Sequence, residues 1–185
     1  MGGAVTSRLE LLPIDEDVTE ALAAVFAKPE VWMFPFGRGF SRSETEEFVA
    51  AQAGHWRTLG FGLWALVERS LGKTIGYAGL SVPTFLPEVL PAVEVGWRLD
   101  PEAWGHGYAS EAATAALEQA FTTLGLAEVL SLPQVDNPPS VRVAERLGMQ
   151  LRGTTTAPAT AKRGPVHVAV MSITCGQWGT RAARH

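Results

Sequence analysis

At 185 residues, with 46% hydrophobic residues, the chain suits one domain with a full core. Its formal charge of −4, with no basic run and no interleaving of basic with aromatic residues, excludes a nucleic-acid binder and permits a cationic acceptor such as an amine. Cys175 is the only cysteine, which excludes an internal disulfide and a cysteine-built metal site, and no apolar run approaches the roughly 20 residues of a membrane helix.

The N-terminus carries no charged leader followed by an apolar core, so the expectation is an unexported, cytoplasmic protein without a membrane partner. Arg8 to Pro13 reads as an opening strand. Asp15 can cap a helix with the stripe Val18, Ala21, Leu22, Val25 and Phe26, and Pro29 breaks its register. The aromatic cluster Trp32 to Phe36 follows, ahead of Gly37 and Gly39. It either packs against the domain or a partner copy in a homodimer, or it lines an acceptor pocket. Ser43 and Glu46 fit a capping box for a helix carrying Phe48, Val49, Trp56 and Leu59 that ends at Gly60. His55 on that helix reads as a packing or surface histidine. Phe61 to Glu68 and Thr74 to Val82 form a hairpin turning near Gly72, and the proline-rich segment from Pro83 to Pro91 is a loop.

From Val93 to Leu99 the pattern alternates, with Val93, Val95, Trp97 and Leu99 on one face and Glu94, Gly96 and Arg98 on the other, the period of a strand. After Asp100 and Pro101 comes Trp104-Gly105-His106-Gly107-Tyr108-Ala109, whose glycines leave the backbone bare enough for an anion to approach the amides. Apolar residues at Ala112, Ala113, Ala116, Leu117, Ala120, Phe121 and Leu124 then trace one helical stripe. The first-turn amides and positive end of that helix face the same spot, which makes an anion site without a lysine. A dinucleotide fingerprint is set aside, because Gly105-x-Gly107-x-x-Ser110 lacks its third glycine and the residues from Asp100 to Trp104 separate it from its strand. Beyond it, Ala127 to Gln134 reads as a strand. Asn137, Pro138 and Gly148 cap, start and stop a short helix. Leu151 to Thr155 and Val166 to Thr174 are further strands, and residues 179–185 are expected to form a frayed tail.

The run from Trp104 to Ala112 (Trp-Gly-x-Gly-Tyr-Ala-x-Glu-Ala) and the later run from Asn137 through Ser140 to Leu147-Gly148-Met149 together resemble the Gcn5-related N-acetyltransferases (GNAT). The similarity is greatest to the branch of ribosomal-protein N-terminal acetyltransferases. The resemblance covers Arg8 to about Trp178. It implies an α+β fold in α/β/α layers, a mixed, mostly antiparallel sheet of about seven strands with helices on both faces, in which the strand of Glu94 splays from the strand after the long helix. Acetyl-CoA would lie in that gap as acyl donor. The resemblance places its pantetheine arm on backbone groups of Trp97 and Leu99, with Arg98 between them. It places its phosphates on Gly105, His106, Gly107, Tyr108 and Ala109, with Asn137 as a further contact. It also implies Glu94 as general base and Ser140 as hydrogen-bond or proton donor to the departing thiolate, with Trp32, Phe34 and Trp64 lining the acceptor site.

Acetyl transfer from a thioester to an amine needs a neutral nucleophile, donors to the developing oxyanion and a proton for the thiolate, and these assignments meet those needs. Where the family commonly carries Arg or Gln three residues before the first glycine, this chain has Glu102, so backbone amides are expected to hold the phosphates. Tyr108 is expected to pack its ring. The function implied is an acetyl-CoA-dependent N-acyltransferase acting on a primary amine of a small molecule or a protein N-terminus. The alternatives are a transferase of another acyl-CoA and a non-catalytic acyl-CoA-binding or sensing module on the same fold.

Overall fold

The computed structural model describes residues 2–182. Its strands, in chain order, are β1 (Ala4–Val5), β2 (Leu9–Pro13), β3 (Leu63–Glu68), β4 (Lys73–Ser81), β5 (Glu94–Leu99), β6 (Glu128–Ser131), β7 (Gln150–Ala157) and β8 (Val166–Thr174). They form one 8-stranded sheet in the order β1-β2-β3-β4-β5-β6-β8-β7. Only β5 and β6 run parallel; every other pair of neighbours is antiparallel. The strand beyond the expected seven is β1, which is too short to show a period and pairs Ala4 with Leu11 on the edge of the sheet.

The helices are α1 (Thr19–Phe26), α2 (Met33–Phe36), α3 (Arg42–Leu59), α4 (Tyr108–Glu118), α5 (Pro138–Arg146) and α6 (Cys175–Ala182). Alternation along the strands divides the core in two. Trp64 and Leu66 of β3, and Val95 and Leu99 of β5, point to the face covered by α4 and α5, where Ala112, Ala113, Ala116, Leu117 and Ala144 meet them. Leu63 and Ala65 of β3, with Tyr77 of β4, point to the other face and pack under Leu22, Val25 and Phe26 of α1 and Val49 of α3. The alanines of α4 let its backbone settle close to the sheet. Its apolar stripe continues into a π-helical turn, Gln119–Thr123, where Ala120 and Phe121 are buried.

The aromatic cluster belongs to the second core. Phe26 meets the rings of Trp32, Phe40, Phe48 and Tyr77 edge-on, with centroids 5.1–6.1 Å apart, and Trp32 stacks flat on Phe40 at 3.7 Å. Trp32 is 4% exposed. Trp32→Ala is therefore expected to lower unfolding stability by about 3–5 kcal/mol in denaturant titration.

Two sequence expectations shift. The capping box of α3 is Ser41 and Glu44, not Ser43 and Glu46: Ser41 Oγ accepts from the Glu44 amide at 3.2 Å and Glu44 Oε2 accepts from the Ser41 amide at 2.9 Å. Both pairs have the same spacing, but Phe40 is anchored against Trp32, which fixes where the chain turns into the helix. Arg38 pairs with Glu44 as well, and its hydrogen bonds, with those from Ser41, hold the Glu44 carboxyl down at about 2. Ser41→Ala should cost about 1 kcal/mol in thermal unfolding, whereas Ser43→Ala should stay within about 0.5 kcal/mol. The expected frayed tail is helical as far as Ala182, with Trp178 packed near Phe121 at 6.1 Å, and 183–185 lie outside the described residues.

Candidate active site

The sheet opens between β5 and β6. The two strands share a single register position, Glu94 with Leu130, and one flanking bond from the Leu130 amide to the Val93 carbonyl at 2.9 Å. Along β5, backbone groups of successive residues turn to opposite sides. The Asp100 amide donates to the Ile75 carbonyl of β4, so Arg98 and Gly96 also face β4, while Trp97 and Leu99 face the gap. Beyond Glu94 no strand among the described residues meets them. The backbone of Trp97 therefore presents a free strand edge. At Leu99 the Trp104 indole Nε1 donates to the carbonyl at 2.9 Å, which leaves the amide for another partner.

At the wide end of the gap lies the glycine loop. Gly105 and Gly107 have φ of 78° and 82°, a left-handed conformation that side chains with a Cβ rarely adopt. Gly107 is the N-cap of α4, and no side chain caps that helix, in contrast to α3 with Ser41 and α5 with Asn137. The first-turn amides of α4 are thus left for an outside acceptor, with the positive end of the helix behind them. Among the described residues no cluster of His, Cys, Asp or Glu is arranged to hold a metal.

The opposite face of β5 carries the acid chemistry. Glu94 stands beside Ser81 of β4, whose Oγ donates to its carboxylate at 3.1 Å. Loss of solvation, partly offset by that hydrogen bond, pushes the Glu94 carboxyl up to about 7. Next on this face is Gly96, above which a Cβ would meet nothing within 4 Å. Arg98 follows. Its guanidinium donates to the carbonyls of Val31 and Phe34 at 2.6 and 2.7 Å and lies over the Trp32 ring at 4.0 Å. Its side chain therefore ties the segment 31–34 to β5, and its backbone amide faces β4, so Arg98 presents no group to the gap. From β6 the chain enters α5, whose Ser140 amide is capped by Asn137 Oδ1 at 3.3 Å. Asn137 is thus a structural cap, while the half-buried Ser140 hydroxyl has no partner among the described residues.

The acceptor-side residues separate. Trp64 is 1% exposed in the core beneath α4, and its indole donates to the Gly2 carbonyl at 2.7 Å, so it lies on the wrong face to line an acceptor site beside Glu94. Trp32 is a core residue behind the segment, and Phe34 alone of the three is half-exposed. His55 packs edge-on against Phe61 at 5.3 Å, and burial lowers its pKa, as fits a packing histidine.

Sequence reading missed the braces of the glycine loop, because each pairs a residue beside the loop with one from another segment of the chain. Asp100, 2% exposed, receives the Lys28 ammonium on both carboxylate oxygens at 2.8 Å and caps the Glu102 amide at 3.0 Å. Burial alone would raise the Asp100 pKa, but these bonds hold it below the ordinary value. Glu102 itself pairs with Lys73 at 2.6 Å and Lys28 at 3.4 Å, so its charge is neutralised away from the anion site. Arg8 and Glu111 form a second brace, with Arg8 Nη1 on the His106 carbonyl at 2.8 Å. The His106 ring is exposed and lies beside Tyr108 at 5.8 Å, so Tyr108 packs as expected.

Comparison with known proteins agrees with this geometry. The chain is 35% identical over 155 residues to the FsC-acetyl coenzyme A-N(2)-transacetylase of Aspergillus fumigatus, covering 78% of this chain and 63% of that longer protein. It is 30% identical over 151 residues to Bacillus subtilis YkkB, covering 81% and 86% of the two chains. Among solved structures it superposes on an acetyltransferase from Agrobacterium tumefaciens with a TM-score of 0.73, 27% identity and 94% coverage of each chain. It superposes on the ribosomal-protein-S5-alanine acetyltransferase of Vibrio fischeri with a TM-score of 0.74, 18% identity and coverage of 95% and 98%, a likeness of fold. The splayed strands, the uncapped helix behind a glycine loop and a match of residues 8–150 to the acetyltransferase (GNAT) domain together make this chain an acetyltransferase of the GNAT family.

Proposed function

We propose that the protein moves an acetyl group from acetyl-CoA directly to a primary amine, of a small molecule or a protein N-terminus, with Glu94 as the base. The observation that carries this is the position of Glu94: it occupies the one register pair where β5 and β6 meet, so the gap that begins at the glycine loop narrows to a carboxyl whose pKa is about 7. A base poised near neutrality accepts a proton from an ammonium or from a bridging water and still holds an appreciable ionised fraction at physiological pH. Acetyl-CoA supplies an activated acyl thioester. The amides of Tyr108 to Ser110 and of Gly107 hold its phosphates, and the Trp97 backbone aligns its arm along β5 as an added strand. Ser140 donates to the departing sulfur as the C–S bond breaks and the C–N bond forms. Glu94 meanwhile removes the nitrogen's excess proton.

The relatives are named for different acceptors, and the branch resembled acts on ribosomal-protein N-termini. The acceptor face offers a carboxylate, a bare glycine floor and the half-exposed Phe34, which suits an amine with an apolar flank. The direct experiment is thiol release from acetyl-CoA against a panel of polyamines, amino acids and N-terminal peptides. Release stimulated by at least one class of amine is expected; no release above hydrolysis with any of them counts against amine transfer. No helix among the described residues is long and apolar enough to cross a membrane.

A further inference from the structure

The glycine loop is not held by its own residues. Its His106 carbonyl is taken by Arg8 Nη1 at 2.8 Å, from the bend just before β2, 98 positions away in the chain. The same guanidinium donates through Nε to Glu111 Oε2 at 2.7 Å, approaches it through Nη2 at 2.6 Å, and lies over the Tyr108 ring at 4.6 Å. Glu111 is fixed in turn by Thr6 Oγ1 at 2.6 Å, Ser7 Oγ at 3.0 Å and the Arg8 amide at 2.8 Å. Burial alone would raise the Glu111 pKa, but these bonds hold it below the ordinary value, so the pair stays ionised and mutually neutral.

Neutrality matters because Glu111 sits in the first turn of α4, where a free carboxylate would compete with a phosphate for the helix end. Direction matters more. In a planar trans peptide the carbonyl and the following N–H point opposite ways. With the His106 carbonyl turned onto Arg8, the Gly107 N–H must point away from it. That adds an amide to the uncapped first-turn donors.

We infer that Arg8 is a positioning residue for the coenzyme site: it sets the His106–Gly107 peptide plane, and with Glu111 it keeps the helix end free of uncompensated negative charge. The inference rests on the reading of this loop as the phosphate site. Arg8 does not contribute as a charge on the phosphate, because its own charge is matched by Glu111. A lysine cannot reproduce it, since one ammonium lacks the planar fork that serves the carbonyl, the carboxylate and the ring together.

The test is calorimetric titration of coenzyme A into the full chain and its Arg8→Met and Arg8→Lys variants. Folding is checked by circular dichroism, and the glycine amide resonances are followed by NMR. Arg8 is 48% exposed at its side chain, so both variants are expected to fold. Both should bind coenzyme A about tenfold more weakly, the loss of roughly one charge-assisted amide bond. The coenzyme-induced shift of the Gly107 amide should disappear while those of Tyr108 and Ala109 persist. Unchanged affinity in the folded variants overturns the positioning role, and so does full rescue by lysine, which would make Arg8 a direct phosphate ligand. Absence of coenzyme binding by the unaltered chain overturns the phosphate-site reading and the inference with it.

Discussion

Gly107→Val is expected to weaken coenzyme A binding by on the order of 10²–10⁴, the loss of about two amide bonds to a charged group. At φ 82° a β-branched residue is strained, and relaxing that strain turns the Gly107 and Tyr108 amides out of line. A Cβ here would meet only Arg8 Nη2, at 3.6 Å, an ordinary contact. The core is therefore untouched, and the variant should fold. Gly105→Ala is the milder companion, strained by its φ of 78° but with nothing within 4 Å of the new methyl. Calorimetry on the folded Gly107 variant gives the answer: undiminished affinity would mean that the loop amides are not the phosphate site.

Glu94→Gln is expected to leave coenzyme binding intact and to lower kcat by roughly 10²–10⁴ if this carboxylate is the sole base. The ionised form is the working form. kcat/KM of the unaltered protein should therefore rise with pH and level off above about 7, and the variant should lack that limb. Stability carries an independent signature of the same group. Its folded pKa, about 7, lies above the ordinary 4.5, so between those values the unfolded chain has released a proton that the folded chain keeps. Stability associated with Glu94 is complete below about 4.5 and is lost as pH rises to 7, and Glu94→Gln should melt higher than the parent near pH 8 but not near pH 4. A loss of turnover equal at every pH would assign Glu94 to positioning the acceptor, not to proton transfer.

What the sequence revealed follows the range of the forces involved. Local patterns carried most elements: β8 spans Val166–Thr174 as the alternation predicts, and Asn137, Pro138 and Gly148 punctuate α5 as their backbone preferences require. The glycine loop and helix end were legible because anion binding by amides needs only contiguous residues. Ser41 against Ser43 was not decidable locally, since both stand three residues before a glutamate and the choice is made by Phe40 packing on Trp32. The resemblance puts Trp64 at the acceptor site, whereas alternation along β3 turns it to the face of α4. Arg8 with Glu111, and Lys28 with Asp100, are separated by 103 and 72 positions, and no spacing rule reaches that far. The raised pKa of Glu94 likewise comes from what the fold packs around it, which a strand pattern does not show.

In the reading we propose, coenzyme A lies as an added strand in the gap between β5 and β6, with its phosphates on the N-terminus of α4. Amide hydrogen exchange with and without coenzyme A tests it most directly. New protection is expected at Trp97 and Leu99 on the gap side of β5 and at Gly107 to Ser110, with little change at Arg98 and Gly96, whose amides already face β4. Protection confined to other segments, with Trp97 and the first turn of α4 unchanged, would contradict it.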